Sequence, residues 1–75
     1  MRHECPWAKI LGANLRLRRR ALRLNQEELA DRVGVDVRYL GGIERGQENP
    51  SLSVIVRVAA ALGCTPVDLL KHSAP

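Results

Sequence analysis

Residues 25–46, NQEELADRVGVDVRYLGGIERG, decide how this chain folds. Asn25 is a good N-cap, and Glu28 stands three residues on, where a capping box wants an acid. Leu29, Ala30 and Val33 form the inward stripe of the short helix that follows. Gly34 stops it as a residue able to take positive φ. Asp36 then caps a second short helix, whose apolar positions Val37, Leu40 and Ile43 recur every three residues, and Gly46 ends it. Two helices of about 8–10 residues joined by a three- to four-residue turn containing glycine have the spacing of a helix-turn-helix. The same spacing also fits an ordinary αα corner, and periodicity does not separate the two.

Working outward, Trp7 to Leu24 reads as one helix with Leu11, Leu15 and Leu22 on its buried stripe. Arg16, Arg19, Arg20 and Arg23 share a sector beside that stripe, because spacings of three, four and seven return to one side. Residues 1–6 (MRHECP) read as a loose polar arm. On the other side, Gln47 to Pro50 is a loop and Ser51 caps a fourth helix, with Leu52, Ile55, Val58, Ala59 and Leu62 inward. Gly63 ends that helix. Thr65, Pro66, Val67 and Asp68 read as N-cap, N1 proline, N2 and N3 acid of a fifth helix running through Leu69 and Leu70. Residues 72–75 fray. No segment alternates with period two, so the expectation is a single all-α domain of five short helices over residues 7–71.

With 75 residues and 8.3 kDa the chain makes one domain with a thin core, which excludes a multidomain enzyme. Hydrophobic residues at 45% and charged residues at 27% are ordinary for a soluble globule. No apolar run approaches the roughly 20 residues of a membrane span. The first 15 residues, with Lys9 and Asn14, lack a signal-peptide apolar region, so a cytoplasmic location is expected. The net charge of +4 is uneven: residues 1–23 carry net +6 and residues 24–75 carry net −2. A basic segment on a small domain suits a polyanion, nucleic acid first and anionic membrane second, or is simply a solvated face.

No catalytic signature is present: there is no G-x-S-x-G, no phosphate-loop lysine motif and no H-E-x-x-H. Glu27 and Glu28 lie in a first helical turn, where acids suit the helix dipole. The chain is expected not to be an enzyme. Cys5 and Cys64 do not make a disulfide framework. His3, Cys5, Cys64 and His72 lack the spacing of a metal site, so no metal and no cofactor is expected. Cys64, in an apolar context, reads as a small core hydrophobe.

The run N-Q-E-E-L-A, G-V, I-E-R-G, N-P-S-L and A-A-L-G, in this order over about residues 10–70, resembles the phage-repressor and Cro-type (XRE-like) helix-turn-helix family. The resemblance implies a five-helix, lambda-repressor-like DNA-binding domain whose third helix, about residues 36–45, enters the major groove. It implies a sequence-specific transcriptional regulator of double-stranded DNA, associated with the nucleoid when bound. The positions matching the family's base readers are Asp36, Val37, Arg38, Tyr39 and Gly42. Arg38 suits guanine, whose O6 and N7 accept a guanidinium bidentately, or else a phosphate. Val37 meets a thymine methyl or fills the core, Asp36 serves first as the N-cap, and Tyr39 reaches a phosphate or packs on the scaffold. Phosphate contacts are implied for Arg16, Arg19, Gln26, Arg45, Gln47 and Asn49; at Gln26 the free N–H groups of the helix start agree. Arg19 and Glu44 match a family salt bridge between the first and third helices.

Gly41-Gly42 departs from the family pattern and costs about 1 kcal/mol per glycine relative to alanine. Gly42 is expected to admit close approach to DNA and Gly41 close helix packing, with DNA shape supplying part of the specificity. One such unit covers few base pairs, so a homodimer reading two half-sites one turn apart is expected. The C-terminal helices, Leu52 to Leu70, would join the copies, with Val54, Val56 and Val67 on the partner face. No small-molecule ligand and no membrane partner is expected. An alternative is a protein-interaction module of antitoxin or adaptor type on the same fold, and a narrower form of the main reading is a restriction–modification controller.

Overall fold

The structure, a computed structural model, describes residues 6–72. Its helices are α1 (Pro6–Ala21), α2 (Gln26–Val33), α3 (Val37–Glu44), α4 (Leu52–Leu62) and α5 (Pro66–Leu70), with no strand among the described residues. The all-α, five-helix expectation holds. The readings placed on residues 1–5 and 73–75 lie outside the described residues. Pro6, read as part of the arm, is instead the first residue of α1, where its missing N–H deprives no helical bond.

The caps form where local hydrogen-bonding chemistry puts them. Asn25 Oδ1 accepts from the Glu28 N–H at 2.8 Å while the Asn25 N–H donates to Glu28 Oε1 at 2.9 Å. Gly34, at φ +84°, closes α2 by donating to the Ala30 carbonyl, and the Val35 N–H donates to the same oxygen. Asp36 and Ser51 cap α3 and α4. Thr65 and Asp68 make a second capping box; bonds from the Thr65 N–H and hydroxyl hold the Asp68 carboxyl below its usual range.

The end of α1 differs from expectation. The helix stops at Ala21 rather than Leu24, and Arg23 takes φ +58°, an uncommon conformation for a residue with a Cβ. The Leu24 N–H donates to the Arg19 carbonyl at 3.1 Å, the long closing bond of a Schellman-type cap. This reversal buries Leu24 and leaves Leu22 48% exposed, so Leu24 replaces Leu22 in the core. A continued helix would have kept Leu24 from the core and forfeited its burial, of order 1.5–3 kcal/mol, enough to offset the roughly 1–2 kcal/mol cost of one left-handed residue.

Leu15, Leu29, Leu40, Ile43, Val58 and Leu69 are the fully buried centre. α3 packs on α1 and α2, α4 on α2, and α5 on α1 and α4. Gly12 sets how close α1 and α3 come: a Cβ there would lie 2.5 Å from the Glu44 carbonyl oxygen and would also strike that of Ile43. Asn14 ties α5 to α1 by donating to the Leu69 and Lys71 carbonyls, each at 2.8 Å. Leu52, expected inward, is 70% exposed, because as the first residue of α4 it precedes the turn that meets the core. Cys64 packs against the core as a partly buried residue, and burial pushes its thiol up from the ordinary value.

Candidate nucleic-acid interface

Glu44, the last residue of α3, has a fully buried side chain. Its Oε2 accepts from Arg19 Nε at 2.6 Å, and its Oε1 accepts from Arg19 Nη2 at 3.1 Å, Gln26 Nε2 at 3.1 Å and, more weakly, Arg16 Nε at 3.4 Å. The remaining Arg19 arm donates to the Leu24 carbonyl at 2.8 Å. Burial alone would raise the Glu44 pKa, but the bonds from Arg19, Gln26 and Arg16, with the Arg19 charge, hold it below the ordinary glutamate value. The same pairing raises Arg19, against the opposing effect of burial. One carboxylate thus fastens α3 to both α1 and α2, and no buried side-chain polar atom among the described residues lacks a partner.

This bracing turns the opposite side of α3 outward. Val37, Arg38, Gly41 and Arg45 lie on one face, by their spacing of three and four, and with Gln26 they line an open groove of about 390 Å³. Arg38 is exposed, and its backbone N–H donates to Asp36 Oδ1 at 2.7 Å, so the Asp36 carboxylate serves as the cap. Val37 both lines the groove and packs against the core, and Tyr39 packs against the core. Next to this groove, Lys9, Arg16, Leu17, Arg20 and Arg45 border a second one of about 270 Å³ that leads along α1.

The remaining site residues fall less together. Arg19, read as one of a basic sector, is only 8% exposed and points inward, so its guanidinium is committed to Glu44 rather than free for a phosphate. Arg23 lies beyond the helix. Gln47 accepts from Arg45 Nε at 3.0 Å, which steadies the arginine at the groove. Asn49 lies on the far side of the loop, beside Trp7 and Pro50. Gly42 is buried, and the Glu48 side chain occupies the place its own would take. Gly41, likewise buried, lines the groove, with the Arg45 guanidinium 3.1 Å from where its Cβ would stand. Lys9 and Arg20 border the second groove with Arg16, and Glu48 covers Gly42; of these three, only Arg20 stood in the basic sector read from the sequence. The Lys9–Arg16–Arg20 spacing of seven and four was available as a signal; the seat of Glu48 over Gly42 was not.

A short helix held outward behind a glycine turn, braced by a buried ion pair on an all-helical body, defines a helix-turn-helix domain. The helix-turn-helix family HTH_3 matches residues 15–69, and the chain belongs to it. An HTH-type transcriptional regulator, y4dJ of Sinorhizobium fredii, is 39% identical over 62 residues, 83% of this chain and 80% of that protein. The control protein C.SmaI of Serratia marcescens is 37% identical over 62 residues, 83% of this chain and 74% of that one. The crystal structure of the restriction–modification controller protein C.AhdI from Aeromonas hydrophila matches with a TM-score of 0.80 at 45% identity, covering 83% of this chain and 94% of that one. These relatives are named as regulators and controllers, not enzymes. No helix among the described residues is long and apolar enough to cross a membrane.

Proposed function

We propose that the protein is a transcriptional regulator that binds double-stranded DNA at specific sites, with α3 in the major groove. The observation that carries this is the outward face of α3: Arg38 and Arg45 beside an open groove, held in place from behind by the buried Arg19–Glu44 pair. Arg38 reads a base edge, guanine by preference. Gln26, Arg45, Gln47 and the exposed part of Arg16 hold phosphates, and Lys9 and Arg20 extend that grip along α1.

The protein binds as a homodimer through α4 and α5. Leu52, Val56 and Val67 support this, at 70%, 47% and 66% exposed on the two helices that follow α3 in the chain. Val54 is half-buried against the core and plays a lesser part in that face. Selection of bound sequences from a random duplex pool tests the whole reading. It should return two inverted half-sites about one helical turn apart, and affinity should fall with salt at a log–log slope near −0.9 per phosphate contacted. Failure to enrich any sequence at physiological salt refutes it. Light scattering that finds only monomer at tens of micromolar removes the dimer. The narrower role of restriction–modification controller is supported by the two controller relatives, and endonuclease and methyltransferase genes beside this one would bear it out.

A further inference from the structure

The paired glycines of α3 are each covered by a side chain from further along the chain. Arg45 lies over Gly41, and Glu48 lies over Gly42, where a Cβ would come within 2.8 Å of Glu48 Cγ and 3.1 Å of Oε2. Gly42 stands four residues, about one turn, beyond Arg38, so Glu48 extends the side of α3 on which Arg38 stands. The Glu48 carboxylate makes no hydrogen bond or ion pair with another side chain among the described residues. It also stands near the C-terminal turn of α3, the end whose dipole disfavours an anion. A helix that gives up two side chains to glycine at a propensity cost therefore presents an arginine and a carboxylate in their place.

We propose that Glu48 is a base-reading residue that takes the part of a side chain at position 42, accepting a hydrogen bond from the exocyclic amino group of cytosine. A carboxylate is an acceptor only. It pairs with the N4 amino group of cytosine, is repelled by the O6 of guanine and the O4 of thymine, and meets at adenine an amino group flanked by the repelling N7 acceptor. It thus selects by rejection as well as attraction, which suits a helix poor in side chains of its own. This rests on the DNA-binding reading above and adds one residue and one base to it.

The test is the random-duplex selection repeated with wild type, Glu48→Ala, Glu48→Gln and Gly42→Ala, each checked for a wild-type helical spectrum and melting. The wild-type site should hold a cytosine in each half-site favoured over thymine by about tenfold. Glu48→Ala should flatten that position alone. Glu48→Gln should replace the cytosine preference with adenine, whose N6 and N7 suit an amide. Gly42→Ala, which favours the helix but displaces the carboxylate, should flatten the same position with Glu48 intact. If the wild-type site persists unchanged in all three variants, or if Glu48→Ala tightens binding to every sequence equally, as removal of a like-charge brake would, the inference falls alone. If wild type enriches no site, both it and the DNA-binding reading fall.

Discussion

Replacing Glu44 with glutamine keeps the shape of the side chain and removes its charge. The consequence follows from the geometry. The Glu44 side chain is fully buried and the Arg19 side chain only 10% exposed, and the two share bonds of 2.6 and 3.1 Å. Glu44→Gln leaves the Arg19 cation buried without its counter-charge, a change that costs about 3–5 kcal/mol. Arg16, with 44% of its side chain exposed, can turn to water, so its share is under about 1 kcal/mol. A domain of this length has roughly 4–11 kcal/mol of stability in all. The variant should therefore melt at least about 12 °C lower, at 4–8 °C per kcal/mol. Urea and thermal unfolding followed by circular dichroism measure this. Arg19→Met combined with Glu44→Leu should be less destabilised than the sum of the two single changes, since it leaves no unpaired buried charge. A Glu44→Gln cost below about 1 kcal/mol, or strict additivity in that cycle, would refute the bracing role given to this pair.

The same carboxylate shapes the acid limb of stability. Its pKa is lowered in the folded state, so it contributes stability above the unfolded glutamate value of about 4.3 that is lost as pH falls through the folded value. Wild type should lose stability steeply below about pH 4.3, and Glu44→Gln should show a flatter acid limb in denaturant titrations at stepped pH. Gly12→Ala should destabilise: overpacking against the α3 carbonyls costs about 1–3 kcal/mol, more than the roughly 1 kcal/mol gained in helix propensity. A melt at or above wild type would show that α1 and α3 are not in close contact. Arg38→Ala should weaken binding to the selected duplex by about tenfold or more and binding to a scrambled duplex much less, as competition assays would reveal. Equal losses on both would make Arg38 a phosphate contact.

What the sequence made legible was chemistry that acts within a few residues. Asn25 with Glu28, Thr65 with Asp68, and the positive-φ glycines at 34 and 63 announce their helix ends, because a cap is a local hydrogen-bond arrangement. The end of α1 was not legible. Arg23 carries no local signal for φ +58°; the turn exists because Leu24 reaches a core built by other helices. Gly12 was opaque for a like reason, since the need for no Cβ appears only when α3 crosses it. At the site, periodicity gave only the inward stripe Val37, Leu40 and Ile43; Arg38 came from the resemblance to a family, and it is exposed. Spacing alone placed Arg19 among exposed arginines, and only the resemblance to a family paired it with Glu44. What covers Gly41 and Gly42 depends on where Arg45 and Glu48 fold back, which is set by a loop with no periodicity to read.

The claim under all of this is that DNA meets the outer face of α3. An amide chemical-shift map recorded while the selected duplex is titrated into labelled protein asks that of each residue directly. The largest changes should fall at Gln26, Val37, Arg38, Gly41, Arg45 and Glu48, with the exposed ends of α4 and α5 nearly still once the dimer is saturated. A map centred on Leu52, Val56 and Val67, with Arg38 unmoved, would contradict it.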